Sequence, residues 1–165
     1  MKLRALLIVL FASTAAASGF RLETHHARAA GMGIAVTALT DDASSIVYNP
    51  AGLAGRRGLD VQAGLSLVIP SIVFTSDASG QSTQTLTRLS TPINFNASFG
   101  ITDDLSVGLG VFNPFGAGAT WPDSWEGRGR ALSSNVQTFA FNPTIAYRIH
   151  PKFKIGAGVQ IVRGT

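Results

Sequence analysis

The side chains able to do covalent or metal chemistry are few and poorly placed for one another. His25 and His26 are adjacent, a spacing ill suited to gripping one ion, and no third ligand follows at a zinc-type interval. The chain has no cysteine, which excludes a disulfide framework. Gly64-Leu65-Ser66-Leu67-Val68 begins like a nucleophile elbow but has Val where the second glycine is required. Gly108-x-Gly110 and Gly156-x-Gly158 are spaced like parts of a phosphate loop, yet both continue as alternating strand and open no helix. The sequon Asn96-Ala97-Ser98 falls inside such a strand and carries no meaning there. No catalytic residue, metal ligand or cofactor is expected.

What remains is suited to recognition of apolar or anionic groups. Trp121 and Trp125 are four residues apart in a segment rich in Gly and Pro. They suit either a landing site for a greasy molecule or the packing of a loop. Arg128 and Arg130 close by suit a fatty carboxylate or lipopolysaccharide phosphates, and simple solvation explains them equally well.

Any such group must be positioned by elements that the composition already narrows. Of 165 residues 45% are hydrophobic and only 13% charged, about half the charge of an average soluble domain, roughly 25%. A mean hydropathy of +0.26 excludes a disordered chain and argues against an ordinary cytosolic enzyme. Lys2 and Arg4, the apolar stretch Ala5 to Ala12 and the Ala15-x-Ala17 pattern predict a secretory signal over residues 1–17. Its removal takes the formal charge from +4 to +2, so no nucleic-acid partner is expected. After residue 12 no run approaches the roughly 18 apolar residues of a membrane helix.

The hydrophobicity is instead spread with a period of two. Four segments show it: Leu59 to Ile69, Ile93 to Ile101, Leu105 to Phe112 and Phe153 to Val162. One parity is apolar at 20 of 20 positions and the other at 3 of 18. Strict alternation predicts strands with one apolar and one polar face. The polar face is mostly Gly, Ser, Asn and Gln. A soluble sandwich would show Lys, Glu, Asp and Arg to water there, whereas a crowded barrel lumen takes small neutral groups. The fold expected is all-β, a transmembrane antiparallel β-barrel. Thr102-Asp103-Asp104 and His150-Pro151-Lys152 read as tight turns, and 76–83 and 113–135 as longer loops. A fourth strand over Val136 to Ile149 places Phe139 and Tyr147 eight residues apart, about 20 Å after tilting, near the separation of two aromatic girdles. Pro70 and Pro143 sit inside strands, where a closed barrel has no free edge for them, so a bulge, kink or early strand end is expected at each.

Residues 18–58 do not alternate. Thr40 reads as the N-cap of a short helix ending at Asn49-Pro50, and Asn49 as the cap of a second turn beginning at Pro50. A segment of this kind before the first strand suggests a plug.

These residues carry a resemblance. Gly19-Phe20, Ala30-Gly31-Met32-Gly33, Asp41-Asp42-Ala43 and Asn49-Pro50-Ala51-Gly52-Leu53-Ala54 resemble the start of the FadL/TodX (OmpP1) family of outer-membrane transporters. Phe112-Asn113-Pro114-Phe115-Gly116 and the stretch from Trp121-Pro122 to Trp125-Glu126-Gly127-Arg128 resemble its third strand and following loop. The resemblance implies a 14-stranded barrel with an N-terminal hatch, of which about five strands are present here. It implies a signal peptide over 1–17, a hatch over 18–58 and barrel strands over 59–165. The activity implied is passive uptake of long-chain fatty acids or other hydrophobic compounds, without chemistry. Substrate would land on a groove formed by Phe115, Trp121, Trp125 and Leu132 and pass near Gly19 and Phe20. It would leave sideways at an inward kink of the third strand, made flexible by Gly108 and Gly110 and flanked by the hatch residues Asn49, Pro50 and Ala51. The implied setting is the bacterial outer membrane with its lipid and lipopolysaccharide, the implied full-length protein a monomer. An outer-membrane lipid-modifying enzyme and a structural or porin-type barrel are the competing readings. The first needs Ser and His clustered at one membrane face, and the second an open, charged lumen.

Overall fold

A computed structural model describes residues 21–22, 25–39 and 41–165. The expected signal peptide, Gly19, Phe20 and the expected cap Thr40 lie outside the described residues. None of the described helices is long and apolar enough to cross a membrane. Two short helices, α1 (Ala27–Gly31) and α2 (Ser45–Tyr48), and a 3-10 turn, Pro50–Leu53, precede the sheet. Nine strands follow: β1 (Gly58–Leu65), β2 (Val73–Thr75), β3 (Ser82–Gln84), β4 (Ile93–Gly100), β5 (Leu105–Phe112), β6 (Gly116–Thr120), β7 (Ser133–His150), β8 (Phe153–Gly158) and β9 (Ile161–Gly164).

They make five long staves of one antiparallel meander. The first is β1, the second β4, the third β5 with β6, the fourth β7 and the fifth β8 with β9. β2 and β3 form a separate hairpin in the first long connection. The sheet is inside out relative to a soluble protein. Asn94, Asn96, Ser98, Ser106, Asn142 and Thr144 are buried, while Phe95, Phe99, Leu109, Phe141, Ile145 and Tyr147 are exposed. Asn96 has no exposed surface, whereas Ile145 keeps 53% of its own. The apolar parity thus faces outward, as a bilayer requires, and the neutral polar parity lines the concave side.

That concave side seats the residues before β1. Ile46, Leu53 and Ala54 pack with Ala146 of β7 into a small apolar core, and Asn142 Nδ2 donates to the Ile46 carbonyl at 3.3 Å. The glycines of the polar parity make room for them. A Cβ on Gly108 would stand 2.8 Å from Ile46 Cδ1 and 3.0 Å from Leu53 Cδ1, and one on Gly156 would collide with the Pro50–Ala51 backbone. Three ion pairs, Arg56–Asp60, Arg57–Asp103 and Arg148–Asp104, gather at the tight-turn end.

Several local expectations need correcting. The helix before Asn49 is only Ser45–Tyr48. Asp42 Oδ1 accepts from the Ser44 N–H at 2.9 Å and from its hydroxyl, so the acid ties the chain ahead of the helix. Asn49 makes no side-chain cap, and its Nδ2 donates to the Thr37 carbonyl instead. Pro50 does open the 3-10 turn. The first stave stops pairing at the Val68–Ser90 bridge, ahead of Pro70, so the early end occurs there. β7 runs unbroken through Pro143, opposite Leu109. The Pro143 carbonyl accepts from the Val159 N–H at 3.1 Å. In an antiparallel pair a residue's carbonyl and N–H point the same way, so the missing N–H faces the fifth stave. That stave is interrupted there into β8 and β9, with Thr144↔Gly158 and Phe141↔Ile161 on either side. The interruption falls on the proline's neighbour and leaves its own strand continuous.

Candidate functional site

The third stave breaks between β5 and β6. Phe112 is opposite Ala140 and Gly116 opposite Gln137, so three residues, Asn113 to Phe115, face two on β7. The surplus residue is a bulge, the device that re-aims a strand at a barrel wall. Its side-chain hydrogen bonds are well defined. Asn113 is buried; its Oδ1 accepts from the Ile93 N–H at 2.8 Å and its Nδ2 donates to the Thr138 carbonyl at 2.6 Å. Thr138 Oγ1 accepts from the Phe115 N–H at 2.9 Å and donates to the Phe115 carbonyl at 2.8 Å.

The break leaves a window in the hydrogen-bond ladder between the second and third staves. Their last ladder pair is Asn94↔Phe112. Above it, backbone contact resumes only where the Leu86 N–H donates to the Thr120 carbonyl at 2.8 Å. Residues 87–92 remain joined to the first stave through Ser66 and Val68 and are free of the third. A cavity of about 320 Å³ takes in this interval, lined by residues 88–92, by Asn113, by 115–118 and by Leu22, and it reaches on to Val68 and Pro70 on one side and to Asn135, Val136 and Gln137 of β7 on the other. Leu22 belongs to a segment that crosses the break: its N–H donates to the Pro114 carbonyl at 2.8 Å, and Arg21 bridges Phe115. Directly below, His25 is buried against Phe112 with ring centroids 4.7 Å apart. Burial, reinforced by the positive charge of Arg21, pushes the His25 imidazole down to about 4, so it is neutral at physiological pH.

The two long connections pack on each other above the window. Trp121 and Trp125 stack at 4.4 Å and 17°, and Phe74 of β2 meets both edge-on at 6.4 and 5.9 Å. Leu132 joins them at the loop base, its carbonyl accepting from the Trp121 N–H at 2.8 Å. Trp121, Trp125 and Leu132 therefore come together, whereas Phe115 stands below them by the whole of β6 and lines the cavity. Phe74 belongs to the group although its stretch, Ser71 to Thr75, gave no alternating signal to single it out.

Two sets of predicted site residues sit elsewhere than expected. Gly108 and Gly110 do not make the kink. Both stay in register, opposite Thr144 and Asn142, and the break begins three residues after Gly110. Their missing side chains serve the close approach of Ile46. Asn49, Pro50 and Ala51 do not flank the break, because the 3-10 turn rests on Gly156 of β8 and beside Ala146 of β7. The residues that do cross the break are Arg21 and Leu22. Neither Asn113 nor Thr138 stands out in the sequence: Asn113 falls at the start of what reads as a loop, and Thr138 lies on the polar parity of its strand, where it looks like any other lumen residue. No cluster of three or more His, Cys, Asp or Glu suited to a metal ion occurs among the described residues.

Comparison with known proteins agrees with this architecture. The chain is 30% identical over 115 residues to “Putative outer membrane protein NMB0088” of Neisseria meningitidis serogroup B, covering 64% of the chain and 25% of that relative. A crystal structure of a Pseudomonas aeruginosa FadL homologue superposes with a TM-score of 0.70 at 21% identity, over 89% of this chain and 38% of that one. The chain thus spans about a quarter of the one and somewhat over a third of the other. The family model for outer membrane protein transport proteins (OMPP1/FadL/TodX) matches residues 8–165, and the chain belongs to that family of outer-membrane β-barrel proteins.

Proposed function

We propose that the protein takes up long-chain fatty acids or other hydrophobic compounds across the outer membrane by diffusion through a hatch-plugged barrel, with a lateral exit and no chemistry. The observation that supports this reading is the interrupted hydrogen-bond ladder between the second and third staves, which we read as a lateral window. A hole in the barrel wall is of no use to a water-soluble solute, which cannot enter hydrocarbon. It suits a molecule whose transfer into an apolar phase is favoured by about 25 cal/mol per Å² of apolar surface. The aromatic group of Phe74, Trp121 and Trp125 supports capture above the window, with Leu132 beside it. The small neutral lumen parity and the seated segment of Ile46 and Leu53 argue against an open porin. Phe115, at the cavity wall, is the residue we place on the exit path. Gly19 and Phe20 are proposed to stand near the substrate on its way in, and Asn49, Pro50 and Ala51 to anchor the hatch on which that path depends. Gly108 and Gly110 are proposed to act in the gate only by seating Ile46.

The test is uptake of a labelled long-chain fatty acid, and separately of an aromatic hydrocarbon, by cells whose own transporter is deleted and which produce the full-length protein. Uptake of either at limiting concentration is expected, and Trp121→Ala with Trp125→Ala should lower it several-fold while folded barrel is retained. Failure to take up any hydrophobic compound would overturn the reading. Uptake unchanged by the double substitution would remove the capture role.

A further inference from the structure

We infer that Asn113 and Thr138 are positioning residues that set the window's size, forming a rigid sill on which the wall of the third stave is held open. The inference rests on the lateral-exit reading and adds to it the groups that keep the exit formed.

The argument starts from backbone hydrogen bonds. Inside a bilayer every N–H and C=O of a barrel wall must find a partner within the protein. Where a strand turns away from its neighbours, both neighbours are left with orphaned groups. At the break, Ile93 of the second stave presents an N–H and Thr138 of the fourth a carbonyl. The ladder register would put Asn113 opposite Ile93, one step beyond Asn94↔Phe112. It is the Asn113 side chain, not its backbone, that meets both. Oδ1 takes the Ile93 N–H at 2.8 Å, and Nδ2 gives to the Thr138 carbonyl at 2.6 Å. A primary carboxamide is the side-chain copy of a peptide group, acceptor and donor together. It lets the backbone of residues 113–115 leave the ladder with neither neighbour unpaired.

Thr138 completes the sill from the other side. Its hydroxyl both receives the Phe115 N–H and donates to the Phe115 carbonyl, locking the residue at which the chain rejoins β7. Thr138 and Asn113 are 8% and 2% exposed, so water is a poor substitute for either. Without this pair the cheapest way to satisfy Ile93 and Thr138 is for the backbone of the third stave to absorb its surplus residue and zip upward, narrowing the window. The sill therefore makes the opening a fixed property of the wall, and Leu22, which hydrogen-bonds Pro114, lies over an aperture already formed.

The test uses the full-length protein in the transporter-deleted cells and four variants: Asn113→Ala, Asn113→Asp, Thr138→Val and Thr138→Ser. Aspartate keeps the acceptor for Ile93 but loses the donor to Thr138. Valine keeps the shape of threonine without its hydroxyl, and serine keeps the hydroxyl. Folded barrel is counted by its heat-modifiable gel mobility. Window width is read by joining Thr91→Cys to Ala117→Cys with bis-maleimides of graded length. Asn113→Ala, Asn113→Asp and Thr138→Val should fold, lose uptake by about tenfold or more, and accept a shorter cross-linker. Thr138→Ser should restore uptake to within about threefold of the natural protein. Normal uptake and an unchanged cross-linker length in folded Asn113→Ala and Thr138→Val would overturn the proposal. So would failure of all four to fold, which would make the pair a tie of the barrel wall alone. The lateral-exit reading has its own arm: if the cross-linked, otherwise natural protein transports at full rate, that reading fails whatever the four variants do.

Discussion

At the scale of single residues, the molecule depends on positions where something small or neutral is required. His25 is the clearest case for a neutral group. Its imidazole binds a proton more weakly when folded, at about 4, than when unfolded, near 6.5. Between those values the unfolded state holds more protons, so stability rises with pH there. Above pH 6.5 the group costs nothing. As pH falls toward 4 the segment around His25 should loosen from Phe112, exposing residues 25–39 to protease or hydrogen exchange. His25→Leu should flatten that dependence, and an equally steep profile in the variant would sink the assignment. Glycine positions show the complementary requirement for smallness. Gly156→Ala sets a methyl against the Pro50–Ala51 backbone, which cannot step aside, whereas Gly108→Ala meets the ends of the Ile46 and Leu53 side chains. Overpacking of this sort costs roughly 1–3 kcal/mol, and the alanine at 156 should fall at the upper end. Thermal unfolding of the two variants side by side checks the order.

At the scale of elements, the third and fourth staves tolerate local defects by different physical routes. The fourth stave absorbs Pro143 because the proline's bare nitrogen points at the fifth stave, which loses one ladder bond and is interrupted at Val159. Pro143→Val restores that N–H at an outward-facing site where a β-branched residue is welcome. The expected gain is about 1 kcal/mol, seen as a rise in the temperature at which the folded gel band disappears; a lower temperature would show that the proline fits its strand better than valine does. The third stave absorbs a whole residue at Asn113–Phe115. Alternation made the strands themselves legible in sequence, because a bilayer and a lumen ask opposite things of successive residues. It also gave both tight turns and the trouble at Pro70. It said nothing of the bulge, since one added residue in a polar–apolar pattern looks like a strand end followed by a loop. Nor did it distinguish a glycine that bends a strand from one that admits a neighbour, and Gly108 and Gly110 are of the second kind. Proximity across the fold, such as Phe74 to Trp121 or Arg21 to Phe115, has no trace in local periodicity.

At the scale of the whole molecule, the decisive property is that burial runs opposite to hydrophobicity, and this reversal yields a test that no soluble sandwich could pass. Phe139 and Tyr147 lie on the outward face of β7, four residues to either side of Pro143, and Leu109 of β5 is opposite Pro143. If the two aromatic residues sit at the two interfaces, Leu109 sits near mid-depth. Leu109 is 43% exposed and Tyr147 is 46% exposed, so in water Leu109→Arg and Tyr147→Arg would cost alike and little. In a bilayer they separate. An arginine at the midplane of a barrel's lipid face costs about 2–4 kcal/mol, and near an interface about 0–1 kcal/mol, where its long stem can reach the headgroups. Unfolding of the full-length protein by denaturant from lipid vesicles should therefore rank Leu109→Arg well below Tyr147→Arg. The same pair measured in vesicles with shorter acyl chains should draw closer together, as the hydrocarbon over residue 109 thins. Equal costs for the two substitutions in every vesicle would mean that the exposed face of this sheet does not meet lipid.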